Sequence, residues 1–312
     1  MLIIYLLLLA LGIFVLIKAA DYSIEIIKAA GLKLKIPTFI LSSIFIAAAT
    51  SFPELSVGII SAVNKEPSLS LGNVLGANMV NLTLVLGITT LISNGVKVRE
   101  KMIFKDLFVT FLIAVLPFFL LFDGILSRQD GVVFILIYLF YQLFLVGNGK
   151  EGFLNHRYSK LKKIGSLGFQ FVLVMILLAA SAQLIVALSD KISEVVNLPL
   201  SIIGVFFLSL GTTIPEMVVQ LKSAESKEDG IFFGNVLGSV VINSTLVIGI
   251  TSLIYPIKIF YNWSFIVLGV FTFIVFALLP VFLRSKKKLE RKEGAILLLI
   301  YLLFLLTGFL LR

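Results

Sequence analysis

Residues 72–92 (GNVLGANMVNLTLVLGITTLI) and 234–254 (GNVLGSVVINSTLVIGITSLI) share 14 of 21 positions without a gap, 162 residues apart. Chance does not give that, so the second half of the chain is a copy of the first. The same offset lays Pro53-Glu54 on Pro215-Glu216. A duplicated chain has to fold as two similar units, and the number of apolar segments in each decides how the units face one another.

Those segments are long. A helix needs about 20 apolar residues to cross a hydrocarbon core of roughly 30 Å. Such runs fall near 2–20, 37–62, 69–93, 103–122, 131–147, 166–189, 199–221, 231–254, 262–283 and 294–311. With 59% hydrophobic residues, 14% charged residues and a mean hydropathy of +1.12, the chain is an integral membrane protein. The expected fold is all-α, ten transmembrane helices as two inverted five-helix repeats, because an odd number of spans makes the second unit enter from the opposite side. The first repeat is residues 1–147, the linker 148–165 and the second repeat 166–312. Such repeats with interrupted helices are a recurring plan of secondary transporters, although duplicated membrane folds also make channels.

Residues 1–16 lack a basic stretch ahead of the apolar run, so they read as the first helix and not as a signal peptide. There is no cysteine, which removes disulfides and thiolate metal sites. His156, the one histidine, lies in the basic linker and reads as solvated. With the N-terminus outside, every basic residue except Lys65, Arg128, Lys191, Lys258 and Arg312 falls in an inner loop, and none falls in hydrocarbon. The net charge of +9 then matches an anionic cytoplasmic leaflet of a cell membrane and not a nucleic acid.

Glu54 and Glu216 read as the only acidic residues within the apolar segments, and a carboxylate in hydrocarbon marks an ion or proton pathway by default. Pro53 and Pro215 cannot donate a backbone hydrogen bond, so they should kink their helices and free carbonyls near Ala49 and Gly211. Thr50 and Ser51 precede Glu54 by one turn, as Thr212 and Thr213 precede Glu216, so hydroxyls and carboxylate share a face. Asn73, Ala77 and Asn81, and again Asn235, Ser239 and Asn243, are spaced by four and draw a polar stripe on the next helix. Asn81 and Asn243 either ligate an ion or staple helices together. Gly72, Gly76, Gly234 and Gly238 serve close packing or site construction.

Two carboxylates with amides, hydroxyls and loosened carbonyls form an all-oxygen set that suits a hard cation. Ca²⁺ takes 6 to 8 oxygens at about 2.3–2.6 Å, and two glutamates neutralise it. Without Cys or His ligands, zinc, copper and nickel are disfavoured. When Ca²⁺ leaves, two close carboxylates need replacement charge, either Na⁺ or H⁺. An intramembrane enzyme using the pair as acid and base would need asymmetric environments, whereas these are near copies. The ions are cargo and no cofactor is expected; a monomer is compatible with the sequence, which does not fix the oligomeric state.

At these residues the chain resembles the cation/Ca²⁺ exchanger superfamily, in particular its prokaryotic Na⁺/Ca²⁺ branch, with repeat motifs at 47–92 and 209–254. The resemblance implies that Glu54 and Glu216 hold Ca²⁺ together with the carbonyls of Thr50 and Thr212. It implies one flanking Na⁺ site from Thr50 and the carbonyl of Ala47, and another from Thr212, Ser239 and the carbonyl of Ser209. Asn81 and Asn243 would border the centre, and the first and sixth helices would slide to switch access. Two departures stand out. Ala77 occupies a position where the family usually has serine, and Asn243 one where archaeal exchangers carry aspartate. The first removes a hydroxyl and the second a titratable group, which leaves Ca²⁺ binding in place and opens the coupling ion to H⁺.

Overall fold

The structure is a computed structural model that describes residues 2–31, 38–98, 102–148, 164–259 and 263–310. Most of the linker, with His156, and Tyr261, which the sequence reads as an interfacial anchor together with Tyr255 and Trp263, lie outside the described residues. The first half contains α1 (Leu2–Gly31), α2 (38–50), α3 (Phe52–Val63), α4 (Pro67–Ile92), α5 (Met102–Leu120) and α6 (Arg128–Asn148). The second contains α7 (Ile164–Val196), α8 (Leu200–Thr212), α9 (Ile214–Glu225), α10 (Asp229–Ile254), α11 (Trp263–Lys286) and α12 (Arg291–Leu310). Helix is the only open-ended structure whose backbone groups satisfy themselves in hydrocarbon.

A helix therefore lies over each of the ten apolar segments. Among the described residues five helices, within α4, α5, α6, α10 and α11, are long and apolar enough to cross a membrane, and two bent pairs raise this to seven. One pair is residues 42–50 with α3, bent by 54°; the other joins the end of α7 to α8 at 116°. The sequence reading instead continued α8 into α9. Gln220, Lys222 and Glu225 make α9 too polar to complete an apolar span.

Contacts come in matched couples. The first part of α10 packs on α2, and the first part of α4 packs on α8; the last turns of α10 lie against α6, those of α4 against α12. Four two-residue strands follow the same rule. β1 (Val96–Lys97) pairs antiparallel with β4 (Lys288–Leu289), and β2 (Ile125–Leu126) pairs with β3 (Ile257–Lys258). Within one residue, the 162-residue offset carries β1 onto β3 and β2 onto β4, so one ribbon corresponds to the other. Because β1 precedes α5 and β2 follows it, the ribbons sit at opposite ends of that helix, and an operation that exchanges the halves also exchanges the ends.

Glycine sets the closeness of these crossings. A Cβ at Gly72 would sit 2.1 Å from the Ser201 carbonyl oxygen, and one at Gly238 2.5 Å from that of Ser43. The main apolar core lies among α4, α5, α6, α10, α11 and α12, with Leu71, Met79, Phe134, Val240 and Leu297 buried. A second cluster joins α1 and α7 through Leu9, Ala19, Val174, Ile185 and Val186, with Val57, Leu69 and Ile203 beneath.

Candidate cation-binding site

The site grows from two helix breaks. Ser51 (φ −82°, ψ 6°) interrupts α2 from α3, and Thr213 (φ −83°, ψ 0°) interrupts α8 from α9. Pro53 and Pro215 fall in the first turn of the helix beyond each break, where a missing N–H costs least. The carbonyls of Ala49 and Gly211 thereby lose their ordinary i+4 donor, as the sequence implies. Glu54 and Glu216 occupy the same first turns, where the helix dipole favours negative charge.

Both carboxylates are fully buried, and all four oxygens are without a hydrogen-bond partner. Each lies against its own backbone N–H. Glu54 faces Thr212 of the other half, while Glu216 faces Thr50, Ser239 and the Glu54 carboxylate. The Thr50 hydroxyl lies 3.1 Å from the Ala47 carbonyl, 3.3 Å from Asn235 Oδ1 and 3.3 Å from Ser239 Oγ. On the other side Thr212 Oγ1 donates to Asn73 Oδ1 at 3.1 Å. Asn81 and Asn243 each open a π-helical turn, a feature frequent at functional sites, and all their amide atoms are buried and unpaired. The Ser51 hydroxyl is in the same state.

Other predicted residues are turned away. Thr213 Oγ1 donates to the Ser209 carbonyl at 2.5 Å, so this hydroxyl is spent on its own helix; Ser209 Oγ does the same to the Val205 carbonyl, while the expectation for Ser209 concerned its carbonyl and not its hydroxyl. The resemblance groups Ser239 with Thr212. The structure places Ser239 against Thr50 instead, because α10 packs on α2 of the opposite half. By the matching crossing of α4 on α8, the side next to Thr212 and Ser209 is the one where Ala77 supplies only a methyl.

Sequence reasoning left three features out of the site. Asn73 and Asn235 reach the threonines directly, which their place in the four-residue stripe had signalled. Asn78 Nδ2 donates to Ser244 Oγ at 2.8 Å beside the centre, a pair without a counterpart in the other repeat. Asp106 is a third fully buried carboxylate, in α5, so Glu54 and Glu216 are not the only acidic residues in the apolar segments. Its neighbour Lys105 counts with the basic residues of an inner loop, and Asp106 is passed over with it.

Paired buried carboxylates, a ring of neutral oxygens and two cross-braced helix breaks define an ion transporter. A model of the sodium/calcium exchanger protein family matches residues 4–147 and 166–310, and the chain belongs to that family, in the prokaryotic branch of the cation/Ca²⁺ exchanger superfamily. It is 27% identical over 350 residues to the sodium/calcium exchanger MaX1 of Methanosarcina acetivorans, covering 97% of this chain and 98% of that one. It is 27% identical over 305 residues to the putative antiporter CaxA of Alkalimonas amylolytica, covering 93% and 94%. Its fold is similar to that of the sodium-calcium exchanger NCX_Mj soaked with Na⁺ and Sr²⁺, with a TM-score of 0.71 at 23% identity over 98% of this chain and 99% of that one.

Proposed function

We propose that this protein is a secondary antiporter that moves Ca²⁺ out of the cell in exchange for Na⁺, with its N-terminus outside and its basic loops in the cytoplasm. The observation that carries this reading is the meeting of the Glu54 and Glu216 carboxylates, buried and unpaired, amid threonine, serine and asparagine oxygens of both halves. Two adjacent negative charges in a low dielectric demand two positive ones. One Ca²⁺ meets the demand, and so do Na⁺ ions flanking the centre. Ca²⁺ bound by the two glutamates and the carbonyls of Thr50 and Thr212, with Asn81 and Asn243 at the border, fits an oxygen-only donor set.

Access would switch by the α1/α7 pair sliding over the rest, as ten spans in two inverted repeats allow. The apolar cluster that joins those helices is distinct from the main core and meets the rest of the bundle through Val57, Leu69 and Ile203, an apolar contact surface that supports a sliding motion. Coupling to H⁺ is the second reading, favoured by Ala77, which leaves the Thr212 side without the hydroxyl that Ser239 gives the Thr50 side. Uptake of ⁴⁵Ca²⁺ into proteoliposomes separates the two. Dependence on internal Na⁺ supports Na⁺ exchange, uptake driven by a pH gradient without Na⁺ supports H⁺ coupling, and transport that survives in E54Q or E216Q removes both readings.

A further inference from the structure

Asp106 lies outside the central site, and its surroundings have a composition of their own. Both carboxylate oxygens are buried without a hydrogen bond. Thr110 stands one helical turn further along α5, on the same face. The Tyr141 hydroxyl from α6 faces the Asp106 carboxylate and the hydroxyls of Thr110 and of Ser43 from α2. Each of these three hydroxyls is likewise buried and without a partner. Among the described residues no lysine, arginine or histidine pairs with the carboxylate.

Four oxygen-bearing side chains from three helices thus converge on one negative charge, facing one another but without close hydrogen-bond geometry among them. A buried polar group left in that state costs stability, so the cluster calls for an occupant that accepts oxygen lone pairs. One carboxylate balances a single positive charge, and a divalent ion would leave a surplus in the low dielectric. We infer that Asp106, Thr110, Tyr141 and Ser43 form an auxiliary Na⁺ site, separate from the one at Glu54 and Glu216.

The placement gives it a task. Ser43 is in the π-helical part of α2, about 10 Å along the axis from Thr50 at 1.5 Å per residue. Beside it, the Ser43 carbonyl is the atom that α10 approaches through Gly238. An ion there ties the middle of α2 to α5 and α6, about two turns from the exchange site, and so fixes the position from which Thr50 meets Asn235 and Ser239.

Equilibrium binding of ²²Na⁺ to the purified full chain tests this, using E54Q/E216Q to silence the central site. That variant should retain about one Na⁺ per chain, and adding D106N should weaken the retained binding roughly tenfold or more. T110V and Y141F, which keep the carboxylate, should weaken it less and in the same background decide the matter if the D106N combination fails to fold. Should the silenced variant itself not fold, D106N alone must bind about one Na⁺ fewer than the wild-type chain. A folded silenced variant that binds no Na⁺, or one whose binding ignores D106N, Y141F and T110V, overturns the inference and leaves Asp106 protonated. ⁴⁵Ca²⁺ uptake is read separately, so failure of the exchange reading leaves this result standing.

Discussion

The two halves of this protein share a backbone and differ in the side chains mounted on it. At the break in the first half, Thr50 meets Asn235 and Ser239 of the second; at the matching break Thr212 meets Asn73, and the place of the serine is taken by Ala77. One turn beyond the glutamates the contrast repeats. Gly58 lies under a hydroxyl pair, Ser70 with Thr251 at 3.2 Å, whereas its counterpart Gln220 is fully buried with both amide atoms unpaired. Two copied frames thus carry unequal sets of oxygens, and on the proposed exchange reading the two flanking positions should not hold their ions equally well.

The largest effect expected is one that ignores this inequality. E54Q and E216Q should each abolish Ca²⁺ transport, since removing one member of a buried charge set costs about 3–5 kcal/mol, which is more than 100-fold. If either variant kept substantial ⁴⁵Ca²⁺ uptake, the two carboxylates would not hold the ion jointly and the exchange reading would fall. Next come the crossings. G238V should lower Tm by several degrees, because the added side chain meets the Ser43 carbonyl and Ala47, and overpacking costs about 1–3 kcal/mol. G76V should do the same against Val205 and Ser209, and a thermal melt in detergent would show whether the crossings are equally intolerant.

The flanks should respond more gently and in opposite directions. S239A removes a neutral hydroxyl contact worth about 0.5–1.5 kcal/mol and should raise the Na⁺ concentration needed for half-maximal exchange by about 3- to 10-fold. A77S should lower it by a similar factor by restoring the missing hydroxyl. Titration of exchange rate against Na⁺ would sharpen the comparison, and equal responses of the same sign would end it.

The smallest effect lies at the rim. Burial, reinforced by the nearby Asp190 carboxylate, pushes Glu66 from 4.5 up to about 7. Its charged form is thus disfavoured in the folded chain. The unfolded chain loses its proton near pH 4.5 and the folded one near 7, so stability falls across that window and stays reduced above it. E66Q removes the penalty. Its Tm should exceed that of the wild type at pH 8 and match it near pH 4, and a difference that persists at pH 4 would assign the effect to packing.

Much of this was legible in the residues. The Pro-Glu pairs announced the helix breaks because proline lacks the donor a continuous helix needs, and the 162-residue offset announced the doubled contacts. The asparagine stripe was visible from its spacing, yet Asn73 and Asn235 could not be ranked above Asn81 and Asn243, since spacing fixes the face and not the distance to a partner on another helix. Ser239 was assigned to the wrong threonine for the same reason. Asp106 was hidden by its neighbour Lys105, whose charge reads as surface although one residue further round α5 the side chain is buried.

What the sequence determined by itself was the class of solvent, the duplication, the helix breaks and the type of donor atom, because each follows from local composition and covalent geometry. Which half lends its asparagine to which threonine, which hydroxyls turn back on their own helix, and which polar groups remain buried and unpaired were decided only in the tertiary structure. Those outcomes depend on the crossing of α10 over α2 and of α4 over α8, where glycines let backbones touch and so bring together residues some 140 to 190 positions apart.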